Sequence, residues 1–128
     1  MLGELCSNER IMEFQQNELL VEFADSILML TLNRPEQRNA LTFEMYQKIS
    51  EFCQRAGTEL DDQGIKAIVI SGAGEKAFAA GTDIGQFTSF KTLQDGHDYE
   101  AQIESVISSI ETCRVPVIAA LHGAVTGG

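Results

Sequence analysis

IKAIVISGAGEKAFAAGTDI, residues 65–84, is the stretch on which the fold turns. Ile65 to Ser71 is a short β-branched run, read as a strand, and it enters a glycine-rich turn at Gly72-Ala73-Gly74. Phe78-Ala79-Ala80-Gly81-Thr82-Asp83-Ile84 follows. Its small residues let another group approach the backbone, and Thr82 or Asp83 is placed to cap a short helix through Phe87. Taken alone, such a segment is more often a strand-to-helix turn with a capping Asp.

On the N-terminal side, Thr42 is a good N-cap, and Met45, Ile49, Phe52, Cys53, Ala56 and Leu60 follow at helical spacing, which predicts an amphipathic helix over 43–60. Before it, Leu19–Phe23 and Ser26–Asn33 read as a β-hairpin around Ala24-Asp25-Ser26, broken by Asn33-Arg34-Pro35 because Pro35 cannot donate to a ladder. On the C-terminal side, Tyr99, Ile103, Val106, Ile107 and Ile110 share one face of a second helix over 95–112. Glu100, Glu104 and Glu111 are expected on its solvated face. Pro116 leads into a last strand, Val117–Leu121, which runs into HGAVTGG. Strands alternating with helices predict an α/β fold with mostly parallel pairing. The final strand reaches Gly127-Gly128 without a helix to cover it, so a cut through a longer fold is expected. Residues 1–17 are expected as a loose arm and 18–128 as the N-terminal part of one domain.

The chain has 128 residues, 44% hydrophobic and 22% charged, which argues against disorder, collagen-like repeats and a disulfide scaffold. Nineteen acidic residues against nine basic give a net charge of -10. The basic residues are scattered, whereas a phosphate-tracking groove needs them clustered, so neither nucleic acid nor an anionic membrane surface is expected as a partner. A small anionic ligand stays open, because backbone donors can hold phosphate inside an acidic protein. Cys6, Cys53 and Cys113 are far apart, odd in number and in no Cys-x-x-Cys pair, which fits a reducing compartment. MLGELCSNER has neither a basic n-region nor an apolar h-region, and the apolar run Val115–Leu121 is far too short for a bilayer, so a cytoplasmic protein is expected.

Gly72-Ala73-Gly74-Glu75-Lys76-Ala77 fits the dinucleotide fingerprint, but that motif needs a helix opening on the turn and an acidic strand end about 20 residues on. Gly81 interrupts any such helix, and a helix begins near Asp95 and Asp98, so a nicotinamide site is disfavoured. A P-loop is disfavoured too, because Lys76 is not followed by Ser or Thr. His122-Gly123-Ala124-Val125-Thr126-Gly127-Gly128 reads either as a flexible strand end or as glycines exposing N–H groups to an anion. His122 is more simply a packed, hydrogen-bonded histidine than a catalyst, and with only His97 beside it no metal site is expected.

Together, LTLNRPEQRNAL (30–41), IKAIVISGAGEKAFAAGTDI (65–84) and VPVIAALHGAVTGG (115–128) resemble, in order and spacing, the crotonase (enoyl-CoA hydratase/isomerase) superfamily. The resemblance implies a spiral of β-β-α turns, here incomplete after Gly128, and acyl-CoA thioesters bound by trimers or hexamers. It implies an oxyanion hole of two backbone N–H groups, on Thr82 and Gly128. Such donors suit a thioester carbonyl that gathers negative charge as an enolate forms. For coenzyme A it implies Arg38, Ala40, Ala80, Gly81, Asp83, Ile84 and Gly85, with Arg38 or Lys76 near phosphates. Gly85 departs from the many relatives that carry lysine or another polar residue there. No cofactor beyond the coenzyme A carried by the substrate is implied. The family's acid–base glutamates follow the second oxyanion glycine, so no residue of this sequence takes that role. The implied activity is enoyl-CoA hydratase or isomerase; the alternative is a non-catalytic acyl-CoA-binding or assembly module with the same fold.

Overall fold

A computed structural model describes residues 18–127. The expected N-terminal arm, Cys6 and Gly128, the expected second oxyanion donor, lie outside the described residues.

The hairpin forms as β1 (Leu19–Ala24) against β2 (Ile27–Leu32), antiparallel. Asp25 and Ser26 turn it with φ of 54° and 67°, the pair of positive values that matches strand twist in a two-residue turn. Leu28, Leu30 and Leu32 alternate into the core. β3 (Ala67–Gly72) lies parallel to β2, and β5 (Val117–Ala119) parallel to β3, giving one sheet in the order β1-β2-β3-β5. A second, two-stranded sheet pairs β4 (Ala77–Ala79) with β6 (Ala124–Val125), also parallel. The chain thus leaves the larger sheet, adds a strand to the smaller one, and then, after β4, enters a helix. That is a β-β-α turn, and β5 and β6 repeat its strand pair.

Thr42 caps α1 (Phe43–Arg55), its Oγ1 accepting the Met45 N–H at 3.2 Å. The helix stops at Arg55 instead of reaching 60. Ala56 already has an extended ψ of 130°, and the Asp61 carboxylate gathers the N–H groups of Gly57, Gln63, Gly64 and Ile65 at 2.9–3.0 Å. Burial pushes the Asp61 carboxyl up, but these four donors outweigh it and hold the group below the usual carboxylate range. Leu60, expected on the buried stripe, is therefore 61% exposed in this loop.

α2 (Leu93–Glu111) starts earlier than expected because Thr92 and Asp95 cap it reciprocally: Thr92 Oγ1 accepts the Asp95 N–H, and Asp95 Oδ2 accepts that of Thr92, both at 3.1 Å. Glu100, Glu104 and Glu111 are exposed, as their spacing predicts. The two helices pack through a buried polar contact, Ser50 Oγ to Ser109 Oγ at 2.7 Å, with Gln54 donating to both hydroxyls at 3.1 Å. Cys53 and Cys113, sixty residues apart in sequence, also meet here, both as free thiols. Burial first, and then Cys113 beside it, push the Cys53 thiol up to about 12. Among the described residues, no helix is long and apolar enough to cross a membrane.

Candidate active site

β4 and β6 were read in sequence as parts of glycine loops, and their parallel pairing is what builds the site. Ala77 pairs with Ala124 and Ala79 with Val125, and the Thr126 N–H donates to the Ala79 carbonyl at 3.1 Å. The segments leaving the two strands, 80–82 and 126–127, therefore run side by side. Gly127 has φ of +73°, and a Cβ on it would stand 2.7 Å from the Gly81 Cα, so a side chain there would drive the two loops apart.

On its other edge the first loop pairs with Leu41. The Leu41 N–H donates to the Gly81 carbonyl at 2.8 Å, and the Asp83 N–H donates to the Leu41 carbonyl at 2.9 Å. In such a parallel bridge the flanking residues make the bonds, and the middle residue's N–H points away. The Thr82 N–H accordingly has no hydrogen-bond partner among the described residues. Its side chain does have partners: Thr82 Oγ1 lies 2.7 Å from the Tyr46 hydroxyl and 3.1 Å from the Tyr99 hydroxyl. Beside this loop lies a cavity of about 210 Å³, lined by Gly81, Thr126 and Gly127 from the two loops, though not by Thr82 itself, and by Tyr46, Ile103 and Val106 from the helices. The walls are almost wholly hydrocarbon.

Two basic residues meet elsewhere. Arg38 and Lys76, both exposed, line one groove of about 410 Å³ together with Glu36 and Ala80, and an adjoining one of about 350 Å³ with Glu36, Glu75 and Gly74, so both grooves carry charge of both signs. Ala80 thus joins the Arg38–Lys76 groove, while Gly81 joins the apolar cavity. Ala40 contributes its carbonyl, which accepts from Arg34 Nη1 at 2.6 Å. Asp83 caps a 3-10 helix, Ile84–Ser89, accepting the Gly85 N–H at 2.9 Å, and its other oxygen meets Arg34 Nη2 at 3.0 Å. The Gly85 N–H and then the Arg34 guanidinium hold the Asp83 carboxyl below its ordinary value. Asp83 is thus committed to tying two loops together. Ile84 is 77% exposed, and neither it nor Gly85 lines these cavities. His122 Nε2 is 3.0 Å from the Gly74 carbonyl, a link between loops, on a half-buried residue rather than in the core.

Sequence reasoning missed three parts of this arrangement. Asn39 is 0% exposed, with φ of 58°; its Nδ2 donates to the Ala73 and Ala77 carbonyls at 3.0 and 2.8 Å, and its Oδ1 accepts the Arg34 N–H at 2.9 Å. It is the pin that holds the 34–41 loop against the β3–β4 turn. Arg34 is the second part. The third is the tyrosine pair on Thr82. Tyr46 falls three residues before Ile49, on the buried stripe of α1, and that spacing was the available signal.

The fold is thus an α/β spiral whose paired strand ends bring an unpartnered backbone donor beside an apolar cavity, with Arg38 and Lys76 in grooves nearby. The chain belongs to the enoyl-CoA hydratase/isomerase family, which it matches over residues 22–128. It is 31% identical over 112 residues to the short-chain-enoyl-CoA hydratase of Clostridium acetobutylicum, covering 88% of this chain and 41% of that protein. To the mitochondrial 3-hydroxyisobutyryl-CoA hydrolase of Bos taurus it is 39% identical over 116 residues, covering 87% and 28%. The crystal structure of a putative enoyl-CoA hydratase from Rhodopseudomonas palustris superposes with a TM-score of 0.75 at 37% identity, covering 88% of this chain and 41% of that one. The chain thus spans about two-fifths or less of the length of these relatives. The fold is the crotonase fold, and of these three relatives two are named hydratases, one of them as putative, and the third a hydrolase.

Proposed function

We propose that this chain carries the thioester-binding part of an enzyme acting on acyl-CoA, with enoyl-CoA hydration or isomerisation as the reaction. The observation that carries the reading is the Thr82 N–H, left unpartnered beside the apolar cavity at the point where the Gly81 and Gly127 backbones touch. A thioester carbonyl bound there accepts from Thr82, and from Gly128 as the second donor. When water adds to the β-carbon or a proton leaves the α-carbon, charge builds on that oxygen. Amides already aimed at it stabilise the enolate without reorganising, and each such donor is worth on the order of 10²–10³ in rate. The hydrocarbon walls suit an apolar acyl group, and the paired cations Arg38 and Lys76, in a groove that also holds Glu36, suit the phosphates of coenzyme A.

Calorimetry on the natural full-length product tests the ligand class. Acetyl-CoA and crotonyl-CoA should bind while NADH should not, and Arg38→Ala combined with Lys76→Ala should weaken coenzyme A binding by about tenfold or more. Tight NADH binding with no response to either thioester would contradict the reading.

A further inference from the structure

The Thr82 hydroxyl is held from both sides. Tyr46 reaches it from α1 at 2.7 Å and Tyr99 reaches it from α2 at 3.1 Å. We propose that Tyr46 and Tyr99 are positioning residues of the thioester site, which grip the Thr82 side chain and thereby fix the direction of its amide. The proposal rests on the oxyanion role of Thr82 and adds a mechanism for its rigidity.

An amide donor helps a transition state to the extent that its aim is set before the reaction. Among the described residues the backbone hydrogen bonds of Gly81 and Asp83 run to Leu41, and on the β6 side the nearest one lies earlier, from the Thr126 N–H to the Ala79 carbonyl. Ala80 and Gly81 offer no long side chain to hold it elsewhere, and Gly81 has φ of +89°. The Thr82 side chain is therefore the handle through which the 81–82 peptide plane is constrained from the side of the helices. Both tyrosines are well placed to apply that constraint. Tyr46 is only 8% exposed and lies among core residues of α1. The Tyr99 ring meets Phe87 edge-on, with centroids 5.0 Å apart, and Phe43 at 5.4 Å. A hydroxyl both donates and accepts, so the three oxygens form a continuous chain. Burial pushes the Tyr46 hydroxyl above its ordinary value, so Tyr46 stays neutral through the physiological range.

The test uses the natural full-length product and the infrared stretch of an isotope-labelled thioester carbonyl in bound acetyl-CoA, read beside crotonyl-CoA turnover. Wild-type protein should shift the carbonyl band to lower frequency than in free acetyl-CoA. Tyr46→Phe and Tyr99→Phe should each move it part of the way back and lower kcat about 3- to 10-fold, with KM held within about twofold. In a Thr82→Val background, which removes the hydroxyl and keeps the amide, Tyr46→Phe should have no further effect on the band or on kcat. Should Tyr46→Phe fail to fold, Tyr99→Phe carries the same comparison. A wild-type band that is shifted, but unmoved by either Tyr→Phe change, would overturn the clamp and leave the oxyanion reading intact. Additive losses in the Thr82→Val background would overturn it too. No band shift and no turnover in the wild type would overturn the thioester reading itself.

Discussion

A Cβ placed on Gly127 would stand 2.7 Å from the Gly81 Cα, so the two loops of the site meet backbone to backbone. Gly64 offers a control: its φ of +71° is nearly the same as the +73° of Gly127, but nothing lies within 4 Å of a Cβ there. Both alanine substitutions bear the left-handed backbone strain, about 1 kcal/mol, while Gly127→Ala also forces the loops apart. Denaturant midpoints should fall further for Gly127→Ala, and only that variant should lose thioester turnover, by about tenfold or more. Equal effects of the two substitutions on turnover would contradict the close approach.

Asn39 links three backbone groups across a sequence gap of more than thirty residues while fully buried. Asn39→Ala leaves the Ala73 and Ala77 carbonyls and the Arg34 N–H without their partner. A stability loss of about 2–4 kcal/mol is expected in urea unfolding. Asn39→Asp should be no milder, since a carboxylate cannot donate to the two carbonyls. A loss below about 0.5 kcal/mol for both would contradict the pin.

Asp61 and Asp83 are both held below the ordinary carboxylate value, Asp61 by four backbone donors that outweigh its burial and Asp83 by the Gly85 N–H and Arg34. A depressed folded-state value means that the stability these groups contribute is complete above the unfolded value of about 3.9 and disappears as pH falls through the folded one. The urea midpoint should therefore hold level down to about pH 5 and drop below about pH 4. Asp61→Asn should flatten that acid limb. An acid limb as steep in Asp61→Asn as in the wild type would show that the loop's carboxylate is not the group responsible.

Thiol reactivity separates the two neighbouring cysteines. The thiolate is the nucleophile, and Cys53 is buried with its thiol pushed up to about 12, while Cys113 is partly accessible. Iodoacetamide at about pH 8 should modify Cys113 first, with Cys53 reacting only on unfolding. Peptide mapping that finds Cys53 alkylated first in the folded protein would contradict the helix packing.

What the sequence made legible was local. Asp25-Ser26 marked the hairpin, Thr42 the start of α1, and the glycine clusters after β3 and β5 the two loops of the site. β4 and β6 were not legible. Three and two residues of mostly alanine carry neither the alternation nor the β-branched density of a strand, and they form because each supplies the other's hydrogen bonds. Long-range pairings were hidden for the same reason. Tyr46 meets Thr82 across 36 residues, and no periodicity encodes a meeting between a helix and a loop. Asp83 shows the converse. Its motif marks it as part of a binding loop, yet Arg34 takes its carboxylate and makes it a strut between the 34–41 loop and the 80–83 segment.

The account stands or falls on the Thr82 N–H, and a comparison of Thr82→Pro with Thr82→Ala in the natural full-length product tests it most directly. The assay is loss of the enoyl absorbance of crotonyl-CoA, with circular dichroism confirming that both variants fold. Proline deletes the N–H, whereas alanine keeps it and removes only the hydroxyl that the tyrosines hold. Thr82→Pro should lower kcat by at least about 100-fold, and Thr82→Ala by about tenfold or less. Equal losses in the two folded variants would contradict the account, because they would show that the hydroxyl, and not the backbone donor, carries the chemistry.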